Sequence, residues 1–389
     1  MNFKIYRGKF KGNYINILLM SAIFLWPLYN SFKGIDLADT GYHIFNYANL
    51  FDNSDKVSFS TYLSSLIGWL WLKIFGFLGV WGLNFLEIII EMITVFLIYR
   101  MLKNYLGKTV SLLGVFFSIL ISNTYFNIVN YHQLTMFFYV LIIYFLFYGL
   151  KDHSIKKIFI SGLVYGFSVF IRLPNIVAVC LGLGGILYWY FISHEDYRFL
   201  IKSFLSFIFG AIVSVAVMIL VLILNGQLDN LYNSVFRLGG MAGSSGGYNL
   251  KTLVKTFVKD NMQAVNSGSL FSIWTCVVLF IYNGYIDKQQ KIKQKVLSPM
   301  LLIFAIIAAG CGLYLAYKLN DKVYYIDPRI GLFAGVQYVA VFIFMLVKAK
   351  SPKDPEMSLA AFFGIVLMAL MPVGSNVGIK HSILGMWIN

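Results

Sequence analysis

An all-α integral membrane bundle is the fold class this sequence predicts, and three observations predict it. Of 389 residues, 59% are hydrophobic and only 12% charged, whereas a soluble protein carries about 25% charged residues. The apolar residues gather into runs approaching the roughly 20 residues that cross a bilayer. The formal charge of +15 concentrates in short segments between those runs, as Lys and Arg do in cytoplasmic loops. A soluble domain is excluded, and disorder, a collagen-like chain and a disulfide scaffold go with it. In a soluble chain such a basic excess would suggest nucleic acid; here no nucleic-acid partner is expected, and the partner implied is the bilayer itself.

The runs define eleven spans, at 14–32, 80–99, 109–123, 133–150, 158–172, 174–193, 203–224, 269–286, 298–317, 330–347 and 357–373. The first begins after a basic stretch but continues into Trp26-Pro27-Leu28 instead of a small-residue cleavage site, so it reads as a retained span and not a signal peptide. With the N-terminus inside, every inner segment is basic: Lys4 to Lys11, Arg100 to Lys108, Lys151 to Lys157, Arg198 and Lys202, Lys288 to Lys295, and Lys348 to Lys353. The orientation expected is N-in and C-out. The whole of 1–389 reads as one polytopic domain, and its end shortly after the last span fits either a shortened or a minimal chain. Cys180, Cys276 and Cys311 lie within apolar runs and form neither a zinc nor a CxxC pattern.

Two outer segments are too long to be simple connectors. In the first, 33–79, residues Asp39–Phe51 have the apolar spacing of an amphipathic helix. Thr61–Phe77 is a second apolar helix, rich in Trp, interrupted by Gly68, Gly76 and Lys73 and suited to lie on the outer surface. The second segment, 225–268, contains the glycine-rich stretch Gly239–Tyr248 and then Lys251, Lys255 and Lys259 at i, i+4 spacing. No internal repeat stands out, which weighs against transporters built from inverted halves.

Few side chains here can carry chemistry. Asp39 opens the first amphipathic helix, where a carboxylate is favoured by the helix dipole and is also placed to act as a general base at the membrane surface. Asp36 lies three residues upstream. His43, one turn beyond Asp39, and Tyr42 are candidates for acceptor contact. Arg172 interrupts the apolar run 158–193 just before Pro174. It is either a snorkelling residue at a hairpin tip or a guanidinium fork for a phosphate. Arg329 and Arg237 are further candidates for that phosphate. Glu87 and Glu91 share one helix face and read as a buried polar pair lining the bundle, in preference to catalytic acids. No histidines have metal-ligand spacing, and neither a nucleophile elbow nor a Walker loop is present.

The ordered set of motifs resembles a known family. Asp39-Thr-Gly-Tyr42 opens a surface helix after span one, and Tyr62 to Gly76 forms a second that ends in Lys-x-Phe-Gly. Span two ends in Tyr99-Arg100-Met-Leu-Lys103, with Leu106-Gly107 following. Gly162 to Pro174 is a glycine-rich span ending in Arg172, and Asp327-Pro-Arg329 leads into a late span. This order is similar to the GT-C membrane glycosyltransferases, particularly the branch of protein O-mannosyltransferases, aminoarabinose transferases and related bacterial polysaccharide enzymes. Where many members carry two adjacent acids, Asp39 is followed by Thr40; where many have an acid opening the fourth span, this chain has Asn130. Both departures argue against a metal site, and no cofactor is expected.

The resemblance implies a glycosyltransferase that moves a sugar from a polyprenyl-phosphate donor to a glycan or lipid-linked saccharide, at the outer face of a bacterial cytoplasmic membrane. Asp39, with Asp36 beside it, would deprotonate the acceptor, while Arg172, helped by Arg329 or Arg237, holds the donor phosphate. A polysaccharide polymerase or ligase is the rival enzyme and would put its key residues in 225–268. A lipid-linked saccharide transporter or flippase is the rival of another class and needs a polar path through the bundle.

Overall fold

The computed structural model describes residues 12–32, 37–122, 129–191, 197–235, parts of 257–269, 328–349 and 355–373, with Gly385 and Ile388. Among these residues the chain is helical and contains no strand. The helices are α1 (Gly12–Asn30), α2 (Leu37–Asn49), α3 (Tyr62–Phe75), α4 (Gly79–Leu106), α5 (Lys108–Ser122), α6 (Tyr131–Lys151) and α7 (Ile155–Ile171). A 3-10 segment, Leu173–Leu183, leads into α8 (Gly184–Phe191), and α9 (Tyr197–Leu224), α10 (Pro328–Ala349) and α11 (Glu356–Leu370) complete the set. Tyr131–Lys151, Leu173–Tyr190 and Tyr197–Leu224 are long and apolar enough to cross a membrane. The expected spans 269–286 and 298–317 lie outside the described residues, as does Gly239–Tyr248.

Hydrogen bonds between helix ends define two ends of the bundle. At one end Tyr148 of α6 donates to the Arg100 carbonyl of α4 at 3.0 Å, and Tyr188 of α8 meets His153 of the α6–α7 turn at 3.2 Å. Thr109 of α5 donates to Asn16 of α1 at 2.9 Å. Lys103, Lys108, Lys151, Lys156, Lys157, Arg198 and Lys202 all belong to helix ends at this basic end. At the opposite end Asn84 of α4 donates to the Ser31 carbonyl at 2.7 Å, and Tyr47 of α2 donates to the Val129 carbonyl at 2.8 Å. The segregation of charge read from the sequence is therefore also a segregation in space.

Two departures from expectation have local causes. The span 174–193 opens as an eleven-residue 3-10 helix, long for a form usually confined to three or four residues. Pro174 removes a backbone donor there, and Asn175 fills part of the gap with its side chain. The helical pattern around 257–269 begins well before the expected span start at 269. It packs on α10, where Tyr338 donates to Asn261 at 2.9 Å.

Helices α7 and α9 pack backbone against backbone. A Cβ on Gly162 would overlap the Phe207 carbonyl, and one on Gly166 would overlap Ser214 Oγ. The glycine-rich stretch that resembles a family motif is thus a surface allowing two backbones to touch, as small residues do between membrane helices. It also delivers Arg172 to the end of α7.

The two long segments 33–79 and 225–268 meet where they are described. Gln227 donates from Nε2 to the Leu50 carbonyl at 2.8 Å and accepts from the Tyr62 hydroxyl at 3.1 Å. Asn230 donates to Ser54 Oγ at 3.0 Å, and the Phe59 amide donates to Ser234 Oγ at 3.2 Å. At 14 residues, α3 is about 21 Å long and too short for a hydrocarbon core of about 30 Å. This length supports a helix lying along the bundle end.

Candidate active site

The site is built from three helix ends and one loop. Asn130 caps α6, its side chain accepting from the His132 amide at 2.7 Å and the Gln133 amide at 3.3 Å. Asn130 is thus a neutral cap that satisfies backbone donors of the first turn. The cap fixes Tyr131, His132 and Gln133 as the first turn of α6, and each faces a different neighbour.

Gln133 faces α4. Its Nε2 donates to Glu87 Oε1 at 3.4 Å, and Glu87 and Glu91 are both buried. The expected buried polar pair is present, and Glu87 accepts from an amide. Tyr131 faces α2 and meets His43 edge-on at 5.1 Å between ring centroids. His43 is enclosed as well by Tyr42 and Tyr47. Burial pushes its imidazole down to about 4, so it is neutral near pH 7. His43 is thus a packing residue as well as a candidate for acceptor contact, while Tyr42 remains exposed.

His132 faces Arg172, with Nδ1 3.5 Å from Nη1 of the guanidinium. Arg172 is the extended residue ending α7, with φ −159° and ψ 125°, and its relative exposure is 5%. It does not snorkel. Nη2 donates to the Val373 carbonyl at 2.8 Å and the Met371 carbonyl at 3.5 Å, both just beyond α11. Nε has no partner among the described residues, and no described carboxylate pairs with the guanidinium; the ion pair among those residues joins Lys157 and Asp152. Beneath it Asn175 accepts from Tyr139 at 3.0 Å and donates to Thr135 at 3.0 Å and to the Ser168 carbonyl at 2.9 Å. This network holds the chain reversal after Arg172 in one conformation.

The other sequence-predicted residues are less defined. Asp39 is the third residue of α2 and His43 the seventh, one turn apart, but the side chain of Asp39 is outside the described set. Asp36 and Arg237 lie outside the described residues. Arg329 is the second residue of α10. Sequence reasoning missed the roles of Asn130, His132, Gln133 and Asn175. Asn130 carried a usable signal, a cap residue directly before an apolar helix. Among the described residues no group of three or more metal-binding side chains converges.

Helices long and apolar enough to cross a membrane define a membrane protein, and near one end of its bundle an arginine lies buried in a polar shell. Residues 61–224 match the family model of the dolichyl-phosphate-mannose-protein mannosyltransferases, a GT-C family. The GT-C character expected from the motif order is thereby shown for this segment, without a finer branch. The match runs from α3 to the end of α9 and includes Glu87, Gln133 and Arg172; Asp39, His43 and Arg329 lie outside it. No curated protein and no solved structure matches the chain.

Proposed function

We propose that the protein transfers a sugar from a polyprenyl-phosphate donor to an outward-facing glycan or lipid-linked saccharide, with inversion at the anomeric carbon. The observation that carries the reading is Arg172: a guanidinium buried beside the α2–α6 contact, held by two backbone carbonyls and lacking a described carboxylate. A buried cation with no counter-ion among the described residues favours an arriving anion, and a phosphate matches the guanidinium fork. The name of the matched family supports a lipid-phosphate-linked sugar as the source of that phosphate.

In this reading Asp39 takes the acceptor hydroxyl proton as the oxygen attacks the anomeric carbon, and the bond to the phosphate oxygen breaks. The leaving polyprenyl phosphate is a stable anion, so charge stabilisation matters more than proton donation. A single base therefore suffices, in contrast to the carboxylate pair of glycoside hydrolysis. Arg172 holds the departing phosphate, Arg329 and Arg237 assist it, Asp36 stands beside Asp39 as the second catalytic acid, and Tyr42 and His43 contact the acceptor. In this reading the chain has eleven spans with the N-terminus inside, the basic bundle end faces the cytoplasm, and the site lies on the outer face of a bacterial cytoplasmic membrane. There the product would enter surface polysaccharide.

The test is a transfer assay on purified protein with a polyprenyl-phosphate-linked hexose and a saccharide acceptor. Asp39→Asn is expected to lower turnover at least 100-fold, in line with loss of a general base; undiminished transfer removes Asp39 from the mechanism.

A further inference from the structure

Arg172 owes its place to a residue that is not among the partners of its guanidinium. The Arg172 amide donates to the Ser168 carbonyl at 3.3 Å, and the Arg172 carbonyl accepts from the Asn175 amide at 2.9 Å. The Asn175 side chain reaches the first of these bonds as well, since its Nδ2 donates to the same Ser168 carbonyl at 2.9 Å. Asn175 therefore bears on both main-chain anchors of an extended residue at the end of α7. Pro174 supplies no backbone donor there, so the helix ladder cannot do this work.

The same side chain crosses to α6. Its Oδ1 accepts from the Tyr139 hydroxyl at 3.0 Å, and its Nδ2 donates to the Thr135 hydroxyl at 3.0 Å. His132, Thr135 and Tyr139 stand at i, i+3 and i+7 of α6 and so share one helix face. His132 on that face meets the guanidinium, with Nδ1 3.5 Å from Nη1. The face that Asn175 grips is thus the face that Arg172 meets. Asn175, Thr135, Tyr139 and Ser168 are all buried, and a buried network with its polar atoms paired rigidifies what it joins. Only an amide suits the position: aspartate lacks the two donors, and an apolar side chain lacks donors and acceptor alike.

We infer that Asn175 is a positioning residue for the donor phosphate. Through both main-chain anchors and the α6 face it sets where the guanidinium of Arg172 stands. A guanidinium fork binds by direction as well as by charge, and a misplacement of about 1 Å in such a contact can cost on the order of 100-fold. Asn175 acts on the affinity for a lipid phosphate without touching it. The inference rests on the reading that Arg172 receives that phosphate.

The experiment measures binding of a polyprenyl phosphate without sugar to the full-length protein in neutral detergent. The proteins compared are the wild type, Asn175→Leu, Arg172→Lys and the double variant, each shown to be folded by its helix content and cooperative unfolding. Leucine keeps the approximate volume of asparagine and removes its polar atoms. Asn175→Leu is expected to bind about 10-fold more weakly in the wild-type background. In the Arg172→Lys background it adds less than about 2-fold, because it acts through the fork that lysine lacks. In the transfer assay it raises KM for the donor and leaves KM for the acceptor unchanged. If Asn175→Leu does not fold, Thr135→Val with Tyr139→Phe, which cuts Asn175 from α6, is judged by the same criteria. A wild type that binds no polyprenyl phosphate ends the sugar-transfer reading and this inference together. Where the wild type binds, equal affinity in the folded variant overturns the role of Asn175 alone. So does an equal loss in both backgrounds, or an equal rise in both KM values, either of which marks a general structural role.

Discussion

Arg172 and Val373, separated by 201 residues in sequence, are joined by a 2.8 Å hydrogen bond from Nη2 to the backbone carbonyl. The bond ties the end of α7 to the exit from α11 and fixes the guanidinium from behind. Its other face points toward His132 and, through Tyr131, toward the helix that carries Asp39. Removing the side chain leaves the carbonyls of Met371 and Val373 without this donor. Arg172→Ala is expected to destabilise the protein by about 1–3 kcal/mol, the cost of an unsatisfied buried group, read as a lower unfolding midpoint in detergent.

Gly162 and Gly166 carry the α7–α9 contact. Gly166→Val places side-chain atoms against Ser214 and Ala211, and overpacking of this kind costs roughly 1–3 kcal/mol. Gly114, with nothing within 4 Å of a built Cβ, is the control: Gly114→Ala leaves the unfolding midpoint unchanged or higher.

His43 makes the protein acid-sensitive. Its folded value of about 4 lies below the ordinary 6.5 because burial disfavours the charged ring. Between these values the unfolded chain binds the extra proton, so stability falls as pH drops from 6.5 toward 4 and is constant above 6.5. The loss is on the order of 3 kcal/mol at its fullest. His43→Phe is expected to flatten this part of the pH profile in unfolding measurements; an unchanged slope would place the sensitivity elsewhere.

Gln227 holds the segments 33–79 and 225–268 together through Leu50 and Tyr62. Gln227→Ala leaves both partners unsatisfied at a buried position. The cost expected is about 1–3 kcal/mol, seen as faster proteolysis of the outer segments at a concentration of protease that spares the wild type.

Legibility in the sequence tracks physical range. The amphipathic spacing of Asp39–Phe51 and the Trp-rich run after Thr61 gave α2 and α3, because helix periodicity is local. Arg172 stood out because a charge inside an apolar run is costly wherever it falls. Its carbonyl partners were invisible, since Met371 and Val373 act through backbone atoms that any residue would supply. The meeting of Gln133 with Glu87 was likewise hidden, as it depends on how α4 and α6 are rotated against each other. Gly162 and Gly166 were legible as a motif but not as a contact; the partner carbonyl on α9 carries no side-chain signature. The 3-10 form after Pro174 escaped because an apolar run specifies burial without specifying helix type.

In the proposed reaction Arg172 receives the phosphate of a lipid-linked donor, and everything else in the mechanism depends on that contact. Its most direct test is the affinity of a polyprenyl phosphate without sugar for the wild type and for Arg172→Lys, in which the charge stays but the planar fork is lost. Binding at least 10-fold weaker in a folded Arg172→Lys protein is the predicted result. Equal affinity in the two folded proteins would contradict the assignment and return Arg172 to a purely structural role between α7 and α11.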